Sequence, residues 1–156
     1  MKSELVYPFT FKSDGHPKEK GKIASVGVLV EDKKRKRIHN FCDLVKIEYP
    51  SVLIAEAKGL LTAVGFIPYF CNEEFSQEYG NGGRFVTIET DNRELIEYMK
   101  SKNGNNGNGS EELDKIKNSI LEVTEEYMVR FKKIEGGGKN LAHYLCRKAE
   151  QRLAQD

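Results

Sequence analysis

Glu56 sits inside the most apolar stretch of the chain, Val52-Leu-Ile-Ala-Glu56-Ala-Lys-Gly-Leu-Leu. Two further carboxylates fall at similarly unfavourable places. Asp14 closes the extended run Tyr7-Pro-Phe-Thr-Phe-Lys-Ser-Asp14-Gly15, and Asp91 ends the β-branched run Phe85-Val-Thr-Ile-Glu-Thr-Asp91-Asn92. A carboxylate removed from water without a partner is costly. Three that converge on one spot need a cation, and an oxygen-lined site of that kind suits a hard divalent metal. Whether two strand ends and one helix bring them together is the question on which the function turns.

The 156 residues are enough for one domain with an ordinary core. Charged residues at 31% and hydrophobic residues at 38% describe a soluble globular chain. A formal charge of +1 leaves no global electrostatic footprint, so a nucleic acid would have to be held by local patches or through metal ions. Cys42, Cys71 and Cys146 are odd in number, lack paired spacing and form no zinc pattern, which points to reduced thiols. The N-terminus has no apolar stretch of the signal-peptide kind, and a cytoplasmic location is expected. Ser51–Phe70 is interrupted by Glu56 and Lys58 and does not read as membrane-spanning.

Alternation places a first strand over Tyr7–Ser13, with Tyr7, Phe9 and Phe11 on one face, followed by a polar loop Gly15–Lys22. Ile23–Val30 and Ile38–Ile47 read as strands joined by the charged turn Glu31–Arg37, so the chain opens as an antiparallel meander. Ser51 is the expected N-cap of a helix to about Gly65 whose core face is Leu53, Ala57, Leu60, Leu61 and Val64. After an irregular insertion, Phe70–Gly83, come a strand over Phe85–Thr90 and a helix over Asn92–Lys102, with Leu95, Ile96 and Met99 inward. Asn103–Ser110 is a polar, mobile linker. Glu111–Tyr127 is helical through Leu113, Ile116, Ile120, Leu121 and Val123. Val129–Ile134 is a fifth strand, and Asn140 caps a last helix with Leu141, Leu145, Ala149 and Leu153 inward. The whole chain, 1–156, is one domain, and the linker at 103–110 is an internal loop.

Each carboxylate has an ordinary alternative. Asp14 with Gly15 makes a turn signal. Glu56 lies at the edge of an apolar helical stripe. Asp91-x-x-Glu94 is related to a capping box, although Asn92 is equally suited to be the cap. His143 would be the third helical residue if Asn140 is the cap; the helix dipole there favours neutral imidazole, the form a metal ligand needs. Its alternative is a surface histidine. Lys33-Lys-Arg-Lys-Arg37 reads as a solvated hairpin tip rather than a nucleic-acid patch, and Gly136-Gly-Gly138-Lys139 as a loop bordering the site.

The element order βββ-α-β-α-α-β-α, with Asp14 on strand one, Glu56 in the first helix and Asp91 at the end of strand four, resembles ribonuclease H. Ser13-Asp14-Gly15 and the strand Ala24-Ser-Val-Gly-Val-Leu29 are similar to that family's Asp-Gly start and glycine-containing second strand. Ala55-Glu56-Ala57 resembles its helix carboxylate, and Glu89-Thr90-Asp91-Asn92 its strand-four motif. Asn140-Leu-Ala-His143-Tyr-Leu-Cys-Arg-Lys-Ala149 resembles its closing motif, with His143 where the family has a fourth acid. The likeness spans Tyr7 to Ala149. The chain has no Trp and shows no basic, Trp-containing handle.

The resemblance implies an α/β fold with a five-stranded mixed sheet, three antiparallel strands then two parallel, flanked by helices. It implies an endonuclease that cuts the RNA strand of RNA–DNA hybrids with two ions of Mg²⁺ or Mn²⁺, held by Asp14, Glu56, Asp91 and His143. Substrate contacts are implied at Glu56, Gly15, His16, Asn92 and Asn140. Imidazole in place of carboxylate removes one negative charge, so Mn²⁺ is expected to be preferred over Mg²⁺. The alternative is a module of the same fold with weakened catalysis that binds nucleic acid or a protein. A monomer is expected, with no membrane partner.

Overall fold

The structure, a computed structural model, describes residues 5–18, 22–32, 34–71, 84–101, 110–125, 127–135 and 141–155. They form strands β1 (Leu5–Pro17), β2 (Ile23–Glu31) and β3 (Arg37–Lys46), then helices α1 (Val52–Gly65) and α2 (Ile67–Phe70). Strand β4 (Arg84–Thr90), helices α3 (Arg93–Lys100) and α4 (Ser110–Thr124), strand β5 (Met128–Lys133) and helix α5 (Leu141–Gln155) follow. The expected order is met, with the short α2 added. The linker up to residue 109, the insertion from 72 to 83, Lys33, the segment 136–139 and the expected cap Asn140 lie outside the described residues.

The sheet runs β3-β2-β1-β4-β5. β1, β2 and β3 pair antiparallel, while β4 pairs parallel with both β1 and β5. Strand alternation gives the sheet two chemically different faces. One carries Phe11, Val28, Val30, Val86 and Ile88 and packs with Ile54, Leu60, Val64, Leu95, Leu113, Ile116 and Ile120 in a single core. The other carries Lys12, Asp14, Gly27 and Glu89, and α5 packs over β1, β2 and β3.

Ser51 caps α1, its Oγ accepting from the Ile54 N–H at 3.4 Å. The expected stripe of α1 is only part of its buried surface. Leu53 and Leu61 are half-buried, and Ile54, Ala55, Glu56, Ala57, Gly59, Leu60, Ala63 and Val64 are buried. A helix covered by the sheet on one side and α4 on another has no single apolar stripe. Val52–Phe70 has the length and hydropathy of a membrane span, yet half of its most apolar window is buried inside the protein, as in a core helix.

Three expectations are corrected. β1 does not end at Ser13. It continues to Pro17, pairing Gly15 with Val26 and His16 with Ser25, so the Asp14-Gly15 pair is strand rather than turn. On α5, Leu145 and Ala149 are buried as expected, but Leu141 is 40% exposed and Ala142 and Cys146 are buried as well. The α5 backbone lies so close to β2 at Gly27 that the small Ala142 must face it; the side chain of Leu153 lies outside the described ones. In α4, Leu121 is exposed and Lys117 is buried instead. Its Nζ donates to the Tyr98 and Ser101 carbonyls at 2.9 and 2.6 Å and so closes the C-terminal end of α3.

The basic turn is solvated at Lys34, Lys36 and Arg37. Arg35 behaves differently. It has a left-handed φ of 65° and reaches across β1, its guanidinium donating to both oxygens of Glu89 at 3.0 and 3.2 Å. Glu31 takes the other contacts, from Arg35 at 3.4 Å and Lys12 at 3.1 Å. Glu89 is 2% exposed, so removing the guanidinium strands a carboxylate in the protein. Arg35→Ala is expected to cost about 2 kcal/mol in urea unfolding, since breaking a buried pair costs more than this and the exposed arginine end moderates it. Adding Glu89→Gln should return most of the loss; no recovery would show that Glu89 is not what Arg35 neutralises.

Candidate metal centre

Three glycines assemble the site by what they lack. A Cβ on Gly15 would lie 1.9 Å from the Ala55 carbonyl oxygen, and one on Gly59 would lie 2.4 Å from the Asp14 carbonyl oxygen. These reciprocal approaches press the α1 backbone onto β1 beside Asp14, and Glu56, next to Ala55, is delivered to that carboxylate. On the opposite face Gly27 is the register partner of Asp14. A Cβ there would meet the Ala142 carbonyl oxygen at 2.3 Å. The first turn of α5 therefore descends onto β2, and His143 Nδ1 comes within 2.8 Å of Asp14 Oδ2.

Asp91 arrives by register. β4 runs parallel to β1 with Lys12 opposite Glu89, and Asp91 follows the last residue of β4 one row beyond, beside Asp14. Asn92, not Asp91, is the cap of α3: its Oδ1 accepts from the Leu95 N–H at 3.0 Å. Asp91 is thereby released from helix capping.

Asp14, Glu56 and Asp91 each offer an oxygen, and these oxygens all lie within 4.8 Å of one another. Asp14 is 3% and Glu56 8% exposed. Burial pushes the Glu56 carboxyl up to about 9, helped by the negative charges of Asp14 and Asp91 and a hydrogen bond with Asp14. Its buried Oε2 has no hydrogen-bond partner among the described residues. Such a group fits a divalent cation: the cation would offset the crowded negative charge and take up the orphaned oxygen.

His143 joins the group through Asp14 from the solvent side, with 35% of its side chain exposed. In the tautomer with its proton on Nδ1, that nitrogen donates to the Asp14 carboxylate and the lone pair is on Nε2. The expected substrate contacts are placed differently from one another. Gly15 is covered by Ala55. Asn92 commits its amide oxygen to the cap. His16 is exposed at the end of β1, and Asn140 lies outside the described residues. The residues sequence reasoning missed are Gly59 and Cys146. Cys146 is 1% exposed, with its thiol donating to the Ser25 carbonyl at 3.6 Å. Burial, then the charges of Asp14 and Glu56, push this thiol up, so it stays neutral. Its spacing of three from His143 was the available signal. All three cysteines are free, as expected.

No protein-family model and no curated sequence matches the chain. Solved structures do. Ribonuclease H1 LC11, isolated from compost by a metagenomic approach, superposes with a TM-score of 0.76 at 16% identity, covering 96% of this chain and 99% of that one. The same LC11 enzyme in complex with an RNA/DNA hybrid gives 0.72 at 17% identity, covering 94% and 99%. Ribonuclease H1 of the halophilic archaeon Halobacterium salinarum gives 0.70 at 13% identity, covering 92% and 98%. At such identities the likeness is one of architecture, and with the observed strand order it establishes that this chain has the ribonuclease H-like fold.

Proposed function

We propose that the protein is a metal-dependent endonuclease that hydrolyses the RNA strand of RNA–DNA hybrids. The observation that carries this reading is the convergence of Asp14, Glu56 and Asp91, with the orphaned Glu56 oxygen, on the fold of ribonuclease H1. Asp14 is the shared member, since it contacts His143 and both its charge and a hydrogen bond act on Glu56. Asp14, Glu56 and Asp91 would hold Mg²⁺ or Mn²⁺, and His143 would add a nitrogen ligand at the solvent side. Two such ions, when bound, polarise a scissile phosphate and supply an activated water. The burial of Asp14 and Glu56 keeps bulk water from screening those charges.

The test is cleavage of an end-labelled hybrid by the parent and by Asp91→Asn. The parent should cut the RNA strand only with divalent metal, faster with Mn²⁺ than Mg²⁺. Asp91→Asn should lower the rate by about 10³-fold, the loss expected when several kcal/mol of metal-borne charge stabilisation go. A parent that binds the hybrid and leaves it intact would replace the nuclease with a binding module of the same fold.

A further inference from the structure

A cavity of about 410 Å³ opens directly beside the metal centre, between the end of β1 and the exposed side of α5. His143 belongs to both: it lines the cavity and contacts Asp14 at 2.8 Å. One helical turn further along α5, about 6 Å by helical rise, Arg147 lines the same cavity, and His16 lines it from β1. Glu150 also lines it but is engaged elsewhere, accepting from Ser25 Oγ at 2.9 Å and lying 3.9 Å from Lys18 Nζ. Arg147 is exposed and has no carboxylate partner among the described residues. A guanidinium with no carboxylate partner there, in a pocket it shares with His16 and His143, is suited to a phosphate, which it can meet with two parallel N–H donors.

We infer that this pocket holds, through Arg147 with His16 at its β1 side, a backbone phosphate of the cut strand next to the scissile one. This rests on the hybrid-nuclease reading above. The strand that presents its scissile phosphate to Asp14 must leave the metal centre on one side, and the cavity that holds Arg147 is contiguous with it through His143. Arg147 then fixes the register of the strand, which makes it a specificity-determining contact.

The experiment measures binding of a 12-base-pair RNA–DNA hybrid in EDTA from 50 to 200 mM salt, for the parent, Arg147→Ala, Arg147→Lys and Lys115→Ala. Arg147→Ala should lower the slope of log affinity against log salt by about 0.9, the share of one phosphate. Arg147→Lys should keep the parent slope, and so should Lys115→Ala, whose charge is on exposed α4. A single neutral methylphosphonate, carried on a 2′-O-methyl nucleotide, is then walked along the RNA strand. One position adjacent to the cut should cost the parent about tenfold, as for a charge-assisted hydrogen bond, and cost Arg147→Ala almost nothing. No binding by the parent would overturn the hybrid reading and this inference with it. Binding with an unchanged slope in Arg147→Ala, an equal loss in Lys115→Ala, or equal methylphosphonate penalties in parent and Arg147→Ala would overturn this inference alone.

Discussion

Gly59→Ala should unfold about 3 kcal/mol more easily than the parent, the upper part of the range for an overpacked core, and should lose about 100-fold in cleavage. The added Cβ would lie 2.4 Å from the Asp14 carbonyl oxygen and 2.8 Å from its carbon. Both are backbone atoms of the central strand, which has no rotamer to move into, so α1 must lift by roughly an ångström. A displacement of that size between reacting groups is enough for a loss of about 10². Gly65 provides the control within the same helix, because its Cβ would meet nothing within 4 Å. Gly65→Ala should be neutral or stabilising by up to about 1 kcal/mol through reduced freedom of the unfolded chain. Thermal and urea unfolding with a hybrid cleavage assay separate the two effects. A Gly59→Ala protein with parental stability and rate would mean that α1 is not seated on β1 as described.

Much of this fold was readable locally. Ser51 and Asn92 cap the helices that follow them, as their side-chain chemistry predicts, and the three strands of the opening meander pair antiparallel as expected. The convergence of Asp14, Glu56 and Asp91 was also expected, since each stands where an apolar element would otherwise have no use for a charge. What local patterns did not disclose were contacts between elements distant in sequence. Asp14-Gly15 has the composition of a turn, and only the Ala55 carbonyl, forty residues away, makes the glycine a strand residue on which a helix rests. The first inward residue of α5 was misjudged for the same reason: hydrophobicity favours Leu141, whereas proximity to Gly27 selects Ala142. Arg35 looked like one more charge in a solvated run, because nothing near it in sequence reveals a buried Glu89 across two strands.

The metal-free protein should become less stable as pH rises from about 4.5 to about 9, and Glu56→Gln should remove that dependence. The folded-state carboxyl is raised to about 9 from 4.5, first by burial and then by Asp14 and Asp91. Between those values the folded protein carries a proton that the unfolded chain has released. Its contribution is therefore complete below 4.5 and is lost as pH climbs through 9, at a slope of at most about 1.4 kcal/mol per pH unit. Urea unfolding in EDTA at pH 6, 7 and 8 reads this slope directly. Because a metal needs the ionised carboxylate, binding must expel the same proton, and affinity should rise with pH up to about 9. Calorimetric titration of Mn²⁺ at pH 7, in two buffers of different ionisation enthalpy, should show release of close to one proton in the parent and far less in Glu56→Gln. A flat stability profile with no proton release would mean that Glu56 is already ionised before metal arrives, and the buried position assigned to it beside Asp14 would then be wrong.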